Sequence, residues 1–190
     1  LLADKLELGT GNTDKIDLTA LVRDKTSNVL SGITVKFAIE AGSDGGLEVL
    51  SAVSDRSGVA KATLTSKSNP ALRTIEVTAA AGATAKSTKL TINVVGTSIE
   101  GTVPGAVVLG STTDLSFTLQ DSAGAPIKSV PLNVRSALGN SFNITTPVTD
   151  AVTGRTAVKY TAAISGNDVV SVTALGVTRS FGVSVNADAF

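Results

Sequence analysis

Cysteine, histidine, methionine and tryptophan are all missing from this 190-residue sequence. Without cysteine and histidine there is no thiol or imidazole nucleophile, no histidine general base and almost no basis for a soft-metal site. An enzyme is therefore not expected, and no catalytic, cofactor-binding or metal-ligating residue is singled out. Lack of cysteine also rules out a disulfide framework, without assigning a compartment. Aromatic residues make up 3% of the chain, too few to build the stacking platforms that single-stranded nucleic acid needs. Lys plus Arg and Asp plus Glu number 16 each, and residues 1–97 hold 11 of the former and 10 of the latter. Neither half carries the basic surplus that nucleic acid or anionic lipid requires. No apolar run approaches the roughly 20 residues of a membrane span, and the opening "LLADKLELGT" lacks a charged segment followed by an apolar stretch. The sequence reads as an interior or processed part of a longer chain.

What is present is repetition. "DKTSNVLSGITVKF" (Asp24 to Phe37) aligns without a gap on "DSAGAPIKSVPLNV" (Asp121 to Val134) at an offset of 97. The match resumes where "SDRSGVAKATLT" meets "TDAVTGRTAVKYT", and where "EVTA" (Glu76 to Ala79) meets "SVTA" (Ser171 to Ala174). A period this long suits a whole domain and not a solenoid repeat. The chain therefore divides into residues 1–97 and 98–190, each long enough for its own core. By the same offset Ile99 corresponds to Leu2, which leaves a linker of a few residues around Gly96 to Ser98 and restricts the swing between neighbours.

Apolar and polar residues alternate with period two and no helical stripe competes. Ile33, Val35, Phe37 and Ile39 alternate with polar or small residues, as do Leu90, Ile92 and Val94, and Leu115, Phe117 and Leu119. Turn signals separate these runs: "GSDGG" (42–46), "DRSG" (55–58), "LGN" (138–140) and "SGND" (165–168). Some seven short strands per copy predict an all-β chain of two tandem immunoglobulin-like Greek-key β-sandwiches.

The order of an Asp–Gly turn, a Gly-containing hairpin, "T-D-x-x-G-x-A", then "V-T-A" and a terminal "V-x-V" resembles the bacterial Ig-like group 1 domain of invasin/intimin type. It covers nearly the whole chain twice, at Val22–Val29, Val53–Thr65, Val77–Ala79 and Leu90–Val94, and at Leu119–Pro126, Val148–Thr161, Val172–Ala174 and Phe181–Val185. Ser27 and Val29 stand where Gly and Pro are usual in that family, and the second copy has an extra residue in "DAVTG". The resemblance implies extracellular modules of a bacterial cell-surface, outer-membrane-attached adhesin, serving as structural spacers beside neighbouring Ig-like modules. The competing expectation is an interaction module, self-associating or binding a surface receptor through loops or an edge strand.

Sharper readings meet bland rivals. Asp24, Asp55, Asp121 and Asp150 fall in turns, where an Asp side chain caps its own backbone. Asp44 and Glu48 flank glycines, but the spaced oxygen series of a calcium loop is missing. Glu100, Asp114 and Asp121 lie near the copy boundary, and calcium at this inter-domain linker is a minor alternative. "NIT" at Asn143 matches a glycosylation acceptor by pattern alone. Among the aromatics, Phe142, read as a loop residue, is the first candidate for an exposed contact, and the terminal Phe190 is a second.

Overall fold

A computed structural model describes residues 1–82 and 87–187. The chain divides into two compact units, Leu1–Gly96 and the segment from Thr97 onward. Every regular element among the described residues is a strand.

Unit 1 contains β1 (Leu2–Ala3), β2 (Glu7–Gly9), β3 (Lys15–Leu21), β4 (Val35–Ile39), β5 (Gly46–Ser51), β6 (Val59–Thr65), β7 (Arg73–Ala81) and β8 (Thr88–Val95). They form two four-stranded sheets, β1-β3-β6-β5 and β2-β8-β7-β4. Alternation is the cause: in β3, Ile16, Leu18 and Ala20 are buried while Lys15 and Asp17 are exposed. The inward sets of both sheets meet in one core that includes Leu8, Leu64, Ile75, Val77 and Ile92, as a sandwich requires.

Unit 2 repeats this with β9 (Ser98–Thr102), β10 (Ala106–Val108), β11 (Thr112–Gln120), β12 (Asn133–Ser136), β13 (Ser141–Phe142), β14 (Arg155–Thr161), β15 (Gly166–Ala174) and β16 (Val177–Asn186). Its sheets are β13-β14-β11-β9 and β10-β16-β15-β12. Phe117 and Phe181 pack in its core with ring centroids 5.6 Å apart. A Cβ at Gly101 would lie 2.5 Å from the Phe181 ring, so only glycine lets β9 pass there.

Among the described residues each unit has eight strands, where the sequence suggests some seven. The first strand is split: β1 and β9 pair in one sheet, and the chain then crosses to the other as β2 and β10. The registers also correct two sequence matches. Phe37 lies opposite Ala79, whereas Val134 lies opposite Val172. Since Phe37 and Val134 are equivalent, Val172 answers to Ala79 and not to Val77, an offset of 93 in place of 95. A two-residue slip keeps every side chain on its face, so the apolar pattern scores both alignments alike. Likewise Leu2 is opposite Thr19 and Thr102 opposite Ser116, which makes Thr102, not Ile99, the counterpart of Leu2.

Candidate functional site

The four aspartates predicted in turns are there and work as caps. Asp24 Oδ1 accepts from the backbone N–H of Thr26 at 2.8 Å and of Asn28 at 2.9 Å. Asp121 Oδ1 does the same for Ala123 and Ala125, both at 2.9 Å, and Asp55 Oδ1 for Ser57 at 2.8 Å and Val59 at 3.0 Å. Asp150 reaches Val152 and Thr153 at 2.9 and 2.8 Å, because its turn holds the extra residue. Bonds from the Thr26 and Asn28 side chains, with the Asn28 and Thr26 backbone groups, hold the Asp24 carboxyl below its ordinary range. Backbone bonds from Thr153 and Val152 do the same for Asp150.

The acids weighed for calcium do not converge. Glu100 lies opposite Thr118, whereas Asp114 sits four residues back along β11 and pairs with Lys159 Nζ at 3.0 Å. Four residues of strand span about 13 Å. Asp121 is engaged in its own turn. Asp44 accepts from Asn69 Nδ2 at 2.6 Å, which draws its carboxyl below the usual range, and Glu48 is exposed on β5.

Phe142 differs from its expectation. It lies on strand β13, not in a loop, is half-buried, and packs its ring on Tyr160 at 5.6 Å between centroids. Gly139 and Asn140 make the segment read as a loop, yet Phe142 pairs with Tyr160 across the sheet edge. Phe190 lies outside the described residues.

Sequence reasoning missed the most concentrated polar cluster. Asp168 is 1% exposed. Its Oδ2 accepts from Ser136 Oγ at 2.6 Å, Tyr160 Oη at 2.7 Å and Asn140 Nδ2 at 3.0 Å. Its Oδ1 accepts from the backbone N–H of Leu138 at 3.0 Å and of Val169 at 2.8 Å. Asn140 Oδ1 in turn accepts from the Ala163 and Ile164 N–H groups at 2.8 and 2.7 Å. Desolvation pushes the Asp168 carboxyl up, but the donors Ser136, Asn140, Leu138 N–H and Tyr160 outweigh it and hold it at about 2. Burial, then the Asp168 bond, raises the Tyr160 phenol. Five neutral donors thus satisfy one ionised carboxylate, and the cluster ties β12, β14 and β15 to the loops after β12 and β14. It is closed on itself and offers no free donor to a ligand. A shallow recess lined by Asn133, Arg135, Ser141, Phe142 and Thr145 also reaches Ser136 and Asn140 of the cluster.

The two folds, with the polar cluster of unit 2, define tandem Ig-like β-sandwiches whose prominent acids stabilise turns and loops. The profile of the bacterial Ig-like domain (group 1) family matches residues 1–95, and the chain belongs to that family. A curated relative, the inverse autotransporter adhesin YeeJ of Escherichia coli strain K12, is 31% identical over 169 residues, 80% of this chain. The chain spans 7% of that relative's length. Among solved structures, the D0–D1 domains of intimin are 22% identical with a TM-score of 0.44, covering 97% of this chain and 96% of that one. The crystal structure of invasin, an integrin-binding protein by its description, is 18% identical with a TM-score of 0.46, covering 98% of this chain and 39% of that one.

Proposed function

We propose that the two units are spacer modules of an adhesin-type protein at the bacterial surface, attached to the outer membrane, holding a distal functional domain away from it. The supporting observation is where the chemistry of the chain goes: in both units the conspicuous carboxylates cap their own turns, and the one buried charge among the described residues of unit 2 is saturated by its own fold. Strands of up to nine residues in unit 1 and ten in unit 2, about 30 to 33 Å at 3.3 Å per residue, give the units reach. The partners in this reading are the neighbouring Ig-like modules, and the units themselves carry no catalytic role.

The test is a swap in the full-length protein. Replacing residues 1–190 with two unrelated Ig-like sandwiches of equal length should leave adhesion of whole cells intact, while deleting them should weaken it. Loss of adhesion in the swapped protein would place receptor contacts in this chain and defeat the spacer reading.

A second reading is favoured by β5. It is a sheet edge in which Val49 and Leu50 are exposed, with Glu48 as the only charge on the strand. Such an edge can accept another strand. Sedimentation of the chain over a concentration series separates the two: a monomer throughout supports the spacer, whereas a dimer abolished by Val49→Lys supports edge pairing.

A further inference from the structure

Ten of the twelve described strand pairs are antiparallel. The two exceptions occupy the same place in each unit: β2 runs parallel to β8, and β10 parallel to β16. In both cases the strand that follows the sheet crossing lies beside the last strand of its unit. The ladders are closed alike at both ends. In unit 1 the Asn93 N–H donates to the Leu6 carbonyl at 2.9 Å and the Thr10 N–H to the Val95 carbonyl at 3.0 Å; in unit 2 Ser184 donates to Gly105 at 2.9 Å and Leu109 to Asn186 at 2.8 Å.

Direction decides how such a pair meets traction. A pull between the two ends of a unit drags its early strand backward and its last strand forward. Parallel neighbours then slide along their common axis, and every bond between them is loaded at once. Antiparallel terminal strands would have their pulled ends at the same edge and would open one bond at a time. Sliding must also draw Leu8 in unit 1, or Val107 in unit 2, out of the core, where they are 0% and 8% exposed.

We infer that β2–β8 and β10–β16 are shear clamps that make each unit resist being pulled open along the chain. This rests on the spacer reading, in which tension on a distal domain is carried through these units, and it adds a mechanical role to their reach.

Single-molecule pulling on the 190-residue chain tests it. The chain has no cysteine, so Thr178→Cys offers a unique attachment near the start of β16. With handles at the two chain ends, unit 2 is loaded in shear; with the second handle moved to position 178, β10 and β16 are both pulled from their starting ends and peel. The expected result is a clearly lower unfolding force for unit 2 in the second geometry. Leu109→Pro removes the donor to Asn186 while altering a side chain that is 38% exposed. Loss of one bond of about 1 kcal/mol corresponds to roughly fivefold faster unfolding under end-to-end load. Val172→Ala, a core change outside the clamp, should lower equilibrium stability at least as much yet affect that force less. Equal forces in the two geometries, or forces that merely follow equilibrium stability, would overturn the clamp. If Leu109→Pro does not fold, the two-geometry comparison decides alone. A failed clamp leaves the module swap untouched, and a failed swap leaves the force measurement standing.

Discussion

The same location in the two sandwiches is built from opposite materials. In unit 1 it holds Ile39, Gly45, Leu64 and Ile75; in unit 2 the register puts Ser136, Asn140, Tyr160 and Asp168 at those positions. A Cβ on Gly45 would lie 2.9 Å from Ile75 Cδ1, so the isoleucine fills the space that the Asn140 side chain occupies in the other unit. One backbone thus accepts either dry packing or a fully bonded polar cluster, provided each is complete. Mixtures of the two are what the fold excludes.

That exclusion gives the largest expected effects. Ile75→Asp would bury a carboxylate where Ile39, Gly45 and Leu64 stand in place of the Ser136, Asn140 and Tyr160 donors, and should unfold unit 1. Asp168→Ala leaves the Ser136, Asn140 and Tyr160 donors in the core without their acceptor, at about 1–3 kcal/mol for each group left unsatisfied, and should cost unit 2 several such increments. Replacing all four residues together (Ser136→Ile, Asn140→Gly, Tyr160→Leu, Asp168→Ile) should change stability far less than Asp168→Ala does, because no polar atom is left alone. Urea unfolding followed by circular dichroism measures all three. A fourfold variant as unstable as the single one would show that the clusters are not interchangeable.

Acid should separate the units next. Asp168 is held at about 2 in the folded state and titrates near 3.9 when unfolded. A depressed carboxyl contributes stability above its unfolded value, and that contribution fades as pH falls from about 4 toward 2. The amount at stake is about 2–3 kcal/mol. Tyr160 is the chain's sole tyrosine and there is no tryptophan, so its fluorescence reports unit 2 alone. The urea midpoint by that signal should drop between pH 4 and pH 2, and Asp168→Asn should flatten the drop. Because the Tyr160 phenol is raised, the unfolded chain loses its proton first, and stability should also decline above about pH 10.

Turns and faces were legible in the sequence because each has a local cause. Asp24, Asp55, Asp121 and Asp150 carry the bonding rule of their turns, and the alternation in β3 or β11 needs no tertiary knowledge. Register was not legible, since pairing Val172 with Val77 or with Ala79 preserves the same inward set. The same slip hides the polar cluster: continued back along the strands, the 95-residue offset leads from Asp168 to Arg73, whereas the register leads to Ile75 in the core. Asn140 and Asp168 read as turn formers because their side chains are small and polar, and only the assembled sandwich surrounds them with donors. Phe142 reads as a loop residue because two residues of edge strand leave no periodic signal.

Glycines that close turns come next in size. Gly58 and Gly154 sit at φ +73° and +64°, and a Cβ would meet the Val22 carbonyl at 2.8 Å in one unit and Pro126 Cβ at 2.8 Å in the other. Alanine at either position should destabilise its own unit by more than about 1 kcal/mol, through both conformation and contact. The extra residue in the Asp150 turn has left this requirement unchanged, so thermal melts of the two variants should show losses of similar size.

The smallest contrast lies at Ser27 and Gly124, which are 97 residues apart and occupy the same turn. Both are left-handed, with φ at 70° for the serine and 77° for the glycine. Unit 2 meets this geometry with the residue that tolerates it; unit 1 meets it with a side chain that does not. What holds Ser27 there is the turn itself, in which its N–H donates to the Asp24 carbonyl at 3.1 Å while the Asp24 carboxylate binds the residues on either side. Ser27→Gly should therefore raise the stability of unit 1 by up to about 1 kcal/mol, part of the relief being cancelled by the freer unfolded chain. Gly124→Ser should lower that of unit 2 by a similar amount, with the Asp121 turn intact in both cases. A Ser27→Gly variant that melts earlier than the parent would mean that the serine contributes more to its turn than the backbone geometry reveals.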